Sequence, residues 1–348
     1  MDIEVASAAE DIDRLITLDM NRRGVVHTLY EAARKETGRP LVQAAAETLY
    51  GAVGSGSVVL FATGWPDRPW ITPAIGELDG PPGAALLARG LHVSKGAVPI
   101  FLVEEQLVSA MSATARAAGF AVLSPAEASA CVDSPAPLHA VSVMSFPVDT
   151  EEARTESERL IKELDPKAVV AVEKGSANRK GVIHNARGAD TSSSMAKVDE
   201  LIRSAAAAGI PSVGIGDGGN EIGMGRISEA IRHHVPYGDR CACPCGDGIA
   251  PEIATDCLVV SAVSNWGAYG TAATLALMSG DEDVLHDAST ELRTLREAAD
   301  AGLIDGNTGY VTPGADGLSA DTHAAMITIL KQIVSNALSP KGLARRRG

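Results

Sequence analysis

Two patterns of apolar residues alternate along this chain. Short runs are apolar at nearly every position: "SVVLFAT" from Ser57, "VPIFLVE" from Val98, "FAVLS" from Phe120, "AVSVMSF" from Ala140, "AVVAVE" from Ala168, "SVGIG" from Ser212 and "CLVVSAV" from Cys257. A strand with no polar face must be covered on both sides, which predicts a parallel or mostly parallel sheet. Between the runs lie stretches with helical spacing, such as "TEEARTESERLIKEL" over 150–164 and "SSSMAKVDELIRSAAAAGI" over 192–210, the latter closed by Gly209 and Pro211 as stop signals.

This alternation predicts an α/β fold: a mostly parallel sheet with helices on both faces, a Rossmann-like three-layer arrangement with extra helices at both termini. Residues 1–50 read as a helical layer packed on the main domain, and residues 51–348 as the α/β domain, whose segment 281–338 returns to helix. The stretch "SPAEASACVDSPAPLHA", 124–140, reads as a long irregular surface connection.

Composition narrows the partners. The chain has 348 residues, a formal net charge of −14 and 45% hydrophobic residues, enough to bury a substantial core. No apolar run reaches the roughly 18 residues of a membrane span, and the acidic start "MDIEVASAAEDIDRLI" does not read as a secretory signal, so a cytoplasmic location is expected. An acidic chain with 3% aromatics is a poor nucleic-acid partner; its one dense basic run, the terminal "ARRRG", reads as a solvated end. Three of the five cysteines fall in "CACPCGDG" as Cys241, Cys243 and Cys245, with His233 and His234 upstream. CxC spacing lacks the CxxC turn that usually presents paired thiolates to zinc, so loop thiols are the favoured reading over a structural metal.

Ligands of open α/β sheets bind at the carboxyl ends of the strands. Here the ends of four runs carry Glu77 and Asp79; Glu173 and Lys174 followed by Asn178, His184 and Asp190; Asp217, Asn220 and Glu221; and Ser264, Asn265 and Trp266. Any one such loop is accounted for by turn and cap propensities. Four together, with two glutamates that are not turn formers, predict a polar pocket. The loop "GIGDGGNEIGMG" contains GxGxxG through Gly214, Gly216 and Gly219, but no second strand ending in an acid follows at the spacing a dinucleotide needs. It also looks like the GDGxND motif of haloacid dehalogenase-type phosphatases, without the early DxD nucleophile such enzymes require.

A longer series of motifs, "ATGWP", "GELDGPPGAALLARGL", "VEKGSANRKGVIHNARGAD", "GIGDGGNEIGMG" and "VVSAVSNWGAYG", resembles the C-terminal domain of D-glutamate cyclase from Gly64 to Gly270. This domain occurs alone in bacteria and fused to another domain in animal mitochondrial enzymes. The resemblance implies a hydro-lyase that converts D-glutamate to 5-oxo-D-proline with loss of water. A metal-dependent phosphatase and a non-catalytic amino-acid-binding module are the alternatives.

Ring closure needs a base, an acid and an oxyanion stabiliser. Expected roles are Glu173 or Glu221 as base, and Lys174, or Mg or Mn held by Asp217 and Glu221, as polariser of the leaving carboxyl. The backbone amides of Gly218, Gly219 and Asn220 are expected to hold the α-carboxylate. Gly64, Glu77, Asp79, Asn178, His184, Asp190, Asn265 and Trp266 complete the expected substrate contacts. No organic cofactor is expected. The small residues of "GTAATLALMSG", 270–280, permit close helix packing either within the chain or in a homo-oligomer.

Overall fold

The computed structural model describes residues 3–339; the terminal "ARRRG" and the end of the 51–348 range lie outside the described residues. In chain order the helices and strands are α1 (Ile3–Ile16), α2 (Val26–Thr37), α3 (Leu41–Ala52), β1 (Val58–Thr63), α4 (Pro81–Lys95), β2 (Val98–Val103), α5 (Val108–Ala117), β3 (Ala121–Val122), α6 (Pro125–Ala130), β4 (Ala140–Ser145), α7 (Thr150–Leu164), β5 (Ala168–Val172), α8 (Val198–Ala207), β6 (Ser212–Gly216), α9 (Ser228–His234), β7 (Cys257–Val260), α10 (Ser264–Ser279), α11 (Ala288–Asp300) and α12 (Ala320–Leu338).

The seven strands form one sheet in the order β3-β4-β2-β1-β5-β6-β7, with every neighbouring pair parallel. Alternation along each strand feeds two cores. Val59 and Phe61 of β1, Phe101 and Val103 of β2, and Val170 and Val172 of β5 face the cluster shared with α1, α3, α4, α10 and α12. Their neighbours Leu60, Ile100, Leu102, Val169 and Ala171 face the cluster shared with α7 and α8. Side chains of period 2 with both faces covered are why these strands read as unbroken apolar runs.

The N-terminal helices share the first core: Ile12, Ile16, Leu29 and Leu49 belong to the same cluster as Phe61 and Trp266. Helix α10 is buried from Ser264 to Leu277 inside the chain. A Cβ on Gly270 would lie about 3 Å from Ile12, Ile16 and Val42, so the small residues of this stretch serve intrachain packing.

Three local expectations change. The stretch 124–140 is not wholly irregular: Ser124 and Glu127 form a reciprocal capping box that starts α6. The run from Phe120 shortens to the two-residue strand β3 at a sheet edge. Helix α8 begins at Val198 rather than near Ser192, because Met195 and Ala196 are buried and the Ala196 N–H donates to Glu104 Oε1 at 2.7 Å instead of joining a helical ladder.

Candidate active site

The chain leaves β1 in one direction through β2 to β4 and β3, then returns to the other side for β5, β6 and β7, so the strand order reverses between β1 and β5. Loops part there, and the crevice they leave is where open parallel sheets bind ligands. Thr63 pairs in register with Val172, which brings Gly64 and Glu173 out of the sheet side by side. Glu173 sits at φ 45°, a left-handed conformation that costs a non-glycine residue on the order of 1–3 kcal/mol and collects at functional sites. Gly80 makes room for it: at φ 103°, a Cβ there would lie 2.9 Å from both Glu173 Cβ and Thr63 Oγ1. The Ser264 hydroxyl donates to Glu173 Oε2 at 2.5 Å.

After β6 the glycine turn closes on itself. The Glu221 carboxylate accepts from the amides of Asp217 (3.2 Å), Gly218 (2.6 Å), Gly219 (2.8 Å) and Asn220 (2.9 Å). The nest expected to hold a substrate α-carboxylate is therefore filled by the protein's own side chain, a correction that the spacing of an acid directly after the glycines could not reveal. The Asn220 side chain donates to the His184 carbonyl at 2.8 Å, so it too is a scaffold contact.

Two further expectations become structural. Asp79 accepts from the Ser264 and Asn265 amides at 2.8 Å each, capping α10; Asn265 Oδ1 accepts from the Gly80 and Gly83 amides at 3.0 and 2.7 Å, capping α4. Each helix thus supplies the side chain that satisfies the other's first turn. Lys174 is fully buried and its Nζ donates to Glu104 Oε1 at 2.6 Å and to the Gly64 carbonyl at 2.8 Å. Its donors point away from the crevice, so it braces the β1–β5 loops instead of polarising a substrate. Burial lowers its pKa, against the pull of Glu104.

The remaining predicted contacts divide. Trp266 is core, its Nε1 donating to His323 Nδ1 at 2.9 Å. Asn178 folds its own loop, accepting from the amides of Lys180 and Val182 and donating to the Gly248 carbonyl. Asp190 is exposed on a neighbouring groove with Ser193 and Gln106. His184 lies with Cys241, Cys243 and Cys245, whose ligand atoms and its own fall within 4.8 Å of one another. His233 and His234, the expected completers, are exposed on α9.

What the crevice does gather is Glu77, Glu173, Asp217, Asn220 and Glu221, in a cleft that is partly open to solvent. Arg23, Asp67, Arg68, Arg187, Asp316, Trp65 and Trp70 join them. Arg23 bridges Asp217 at 2.6 Å and Asp316 at 3.0 Å. Neither Arg23 nor Asp316 carries a sequence signal: one lies in "NRRG" between the first helices, the other in "GADG" near the last, far from any strand end.

The electrostatics follow from crowding. Burial, then the charges of Asp217, Glu221, Asp79 and Glu77, raise the Glu173 carboxyl well above its ordinary range. Asp217 is likewise raised by burial, although Arg23 opposes this. Asp79 is pushed up to about 8 by burial and by Asp217, and Asp316 to about 6 by burial and by Asp79. Carboxyls with raised proton affinity in one cleft can give up their protons to solvent when a cation binds, or shuttle them to a reacting group. One oxygen each from Glu173, Asp217 and Glu221 lie within 4.8 Å of one another, as do those from Asp79, Asp217 and Asp316. Such all-oxygen sets suit a hard divalent ion.

Among the described residues, no helix is long and apolar enough to cross a membrane. The chain is 27% identical over 282 residues to human "D-glutamate cyclase, mitochondrial"; the match covers 79% of this chain and 40% of the relative, so the chain spans well under half the length of that protein. The family model "D-glutamate cyclase-like, C-terminal" matches residues 12–331, taking in β1 to β7 and every acid of the cleft. The chain belongs to the D-glutamate cyclase-like, C-terminal family.

Proposed function

We propose that the protein closes D-glutamate to 5-oxo-D-proline, releasing water, in the cleft at the β1–β5 switch point. The observation that carries this reading is the meeting of Glu173, Asp217 and Glu221 on the floor of a cleft whose lining also includes Arg23, Arg68 and Arg187. Glutamate offers one ammonium and two carboxylates. Acids below and guanidinium groups around them suit that pattern of charge, and a purely anionic phosphate ester would meet the carboxylates unfavourably.

The reaction balances on carboxyl groups alone. The substrate nitrogen gives up a proton to a carboxylate of the floor, its lone pair forms the C–N bond to the δ-carbon, and the tetrahedral oxygen is protonated as its C–O bond breaks. Nitrogen loses two protons in all and the departing oxygen gains two, so the acids return to their starting state. Glu173, held by the Ser264 hydroxyl and with its proton affinity raised by burial and neighbouring acids, is suited to hand a proton to the leaving oxygen. Asp217, pinned by Arg23, faces the ammonium. A magnesium or manganese ion, if bound, would be held by Glu173, Asp217 and Glu221 and would supply Lewis-acid polarisation of the carboxyl.

Incubation of the purified protein with D- and L-glutamate, with and without magnesium or manganese, should yield 5-oxoproline resolved by chiral chromatography. Glu173→Gln is expected to lower kcat by about 10²–10⁴-fold while its melting temperature stays near that of the parent. No product from either enantiomer under any metal condition, together with thermal stabilisation by glutamate, would replace the enzyme reading with an amino-acid-binding module.

A further inference from the structure

The three thiols of the 241–245 segment and one imidazole form a second convergence of ligand atoms outside the carboxylate cleft. Cys241 Sγ lies 3.5 Å from Cys243 Sγ and 3.3 Å from Cys245 Sγ; His184 Nε2 lies 3.2 Å from Cys243 Sγ and 3.6 Å from Cys245 Sγ. We propose that His184, Cys241, Cys243 and Cys245 are the four ligands of a closed, structural zinc site.

Geometry and donor chemistry both support it. Zinc–sulfur bonds of about 2.3 Å and zinc–nitrogen bonds of about 2.0–2.1 Å, set tetrahedrally, place sulfurs roughly 3.8 Å apart and sulfur about 3.5 Å from nitrogen. The observed separations bracket the second value and fall just short of the first, as ligands gathered around one point would. A disulfide would draw one pair of sulfurs to about 2.05 Å and leave the third thiol and the imidazole without a role. Three thiolates favour a borderline-soft ion over magnesium or manganese, so this site and the carboxylate cleft select different metals. Loading exchanges up to three thiol protons for one Zn²⁺.

The surroundings are those of a ligated sulfur cluster. The Cys245 N–H donates to Cys243 Sγ at 3.4 Å, and Asn178 Nδ2 donates to Cys245 Sγ at 3.5 Å while anchored on the Gly248 carbonyl. Lys180 Nζ donates to the Cys245 carbonyl at 2.7 Å, placing a positive charge beside a site of net negative charge.

The fold also needs a fastening there. Between α9 and β7, residues 235–256 contain no helix or strand, yet Ile249, Ala250 and Ile253 are buried. An irregular segment of that length is uncommon in a compact domain unless something ties it down. The ion would clamp it to the loop after β5, where the Ala242 N–H donates to the Gly188 carbonyl at 2.9 Å. The clamp reaches the cleft: His184 receives the Asn220 side chain, and Asn185 and Arg187 of the same loop line the pocket.

Elemental analysis of the full chain, purified without added metal, should find about one zinc per chain. A mercurial thiol reagent should release that ion to a colorimetric zinc indicator. Cobalt substitution should produce sulfur-to-cobalt charge-transfer absorption and the intense d–d bands of a tetrahedral site, which excess magnesium leaves unchanged. Cys243→Ser should drop zinc content at least tenfold. Should that variant prove insoluble, wild type stripped of zinc and then reloaded supplies the same comparison, with loss and recovery of the cobalt spectrum as the readout. Less than a tenth of a zinc per chain in wild type, with all five thiols titrating or with two missing as a disulfide, would overturn the assignment. Metal content is read without glutamate turnover, so failure here and failure of the cyclase reading are distinct results.

Discussion

At the scale of single residues, burial separates the groups that can meet a substrate from those that hold the walls. Lys174 and Glu104 are both fully buried, 2.6 Å apart, and Glu104 also receives the Ala196 amide. Removing one partner of such a pair strands the other charge. Lys174→Met should therefore cost about 3–5 kcal/mol, read as a fall in the denaturation midpoint, and the double variant Lys174→Met/Glu104→Met should recover part of that loss. Equal destabilisation by the single and double variants would argue against the pair. Gly306 has a similar supporting place: a Cβ there would collide with the Glu77 carboxylate. Gly306→Ala is expected to displace Glu77 into the cleft and to raise KM for glutamate more than it changes kcat.

At the scale of elements, helix ends do much of the positioning. Asp79 and Asn265 exchange caps between α10 and α4, which explains how Ser264 comes to stand over Glu173. A parallel device joins the N-terminal helices: Asp13 of α1 accepts from the Leu41 and Val42 amides that open α3, at 2.7 and 3.1 Å. Burial nevertheless raises Asp13 from 3.8 to about 6, the amides pulling the other way. In the window from about 4 to 6 the folded chain binds this proton more tightly than the unfolded chain, so the contribution of Asp13 to stability falls as pH rises through that range. Denaturation at pH 5 and pH 7 should show this loss in the parent and a smaller one in Asp13→Asn. A variant with the same pH dependence as the parent would assign the effect to other groups.

At the scale of the whole molecule, the same sign governs the cleft. Asp316 is raised to about 6 and Asp79 to about 8, both through burial first and neighbouring acids second. Their ionisation works against the folded state, so the metal-free protein should melt at a lower temperature at pH 8 than at pH 5.5. Manganese or magnesium should raise the melting temperature more at pH 8 than at pH 5.5, because protons compete for the same oxygens; an equal shift at both pH values would place the ion elsewhere. The sheet, its two covered faces, the terminal helices and the acid-bearing strand ends were all legible in the sequence, because apolar runs, helical spacing and turn residues act over a few neighbouring positions. How those groups are partnered was not, nor that Arg23, Asp67 and Asp316 join them in the cleft. Glu221 fills its own nest, Lys174 turns to Glu104, Arg23 crosses to Asp316 at a separation of 293 residues, and His184 meets cysteines about 60 positions away. By itself the sequence determined the elements and the chemistry carried at their ends. Only the tertiary structure decided which of those groups meet, since strand order and the crossing of distant loops set those distances and no local pattern encodes them.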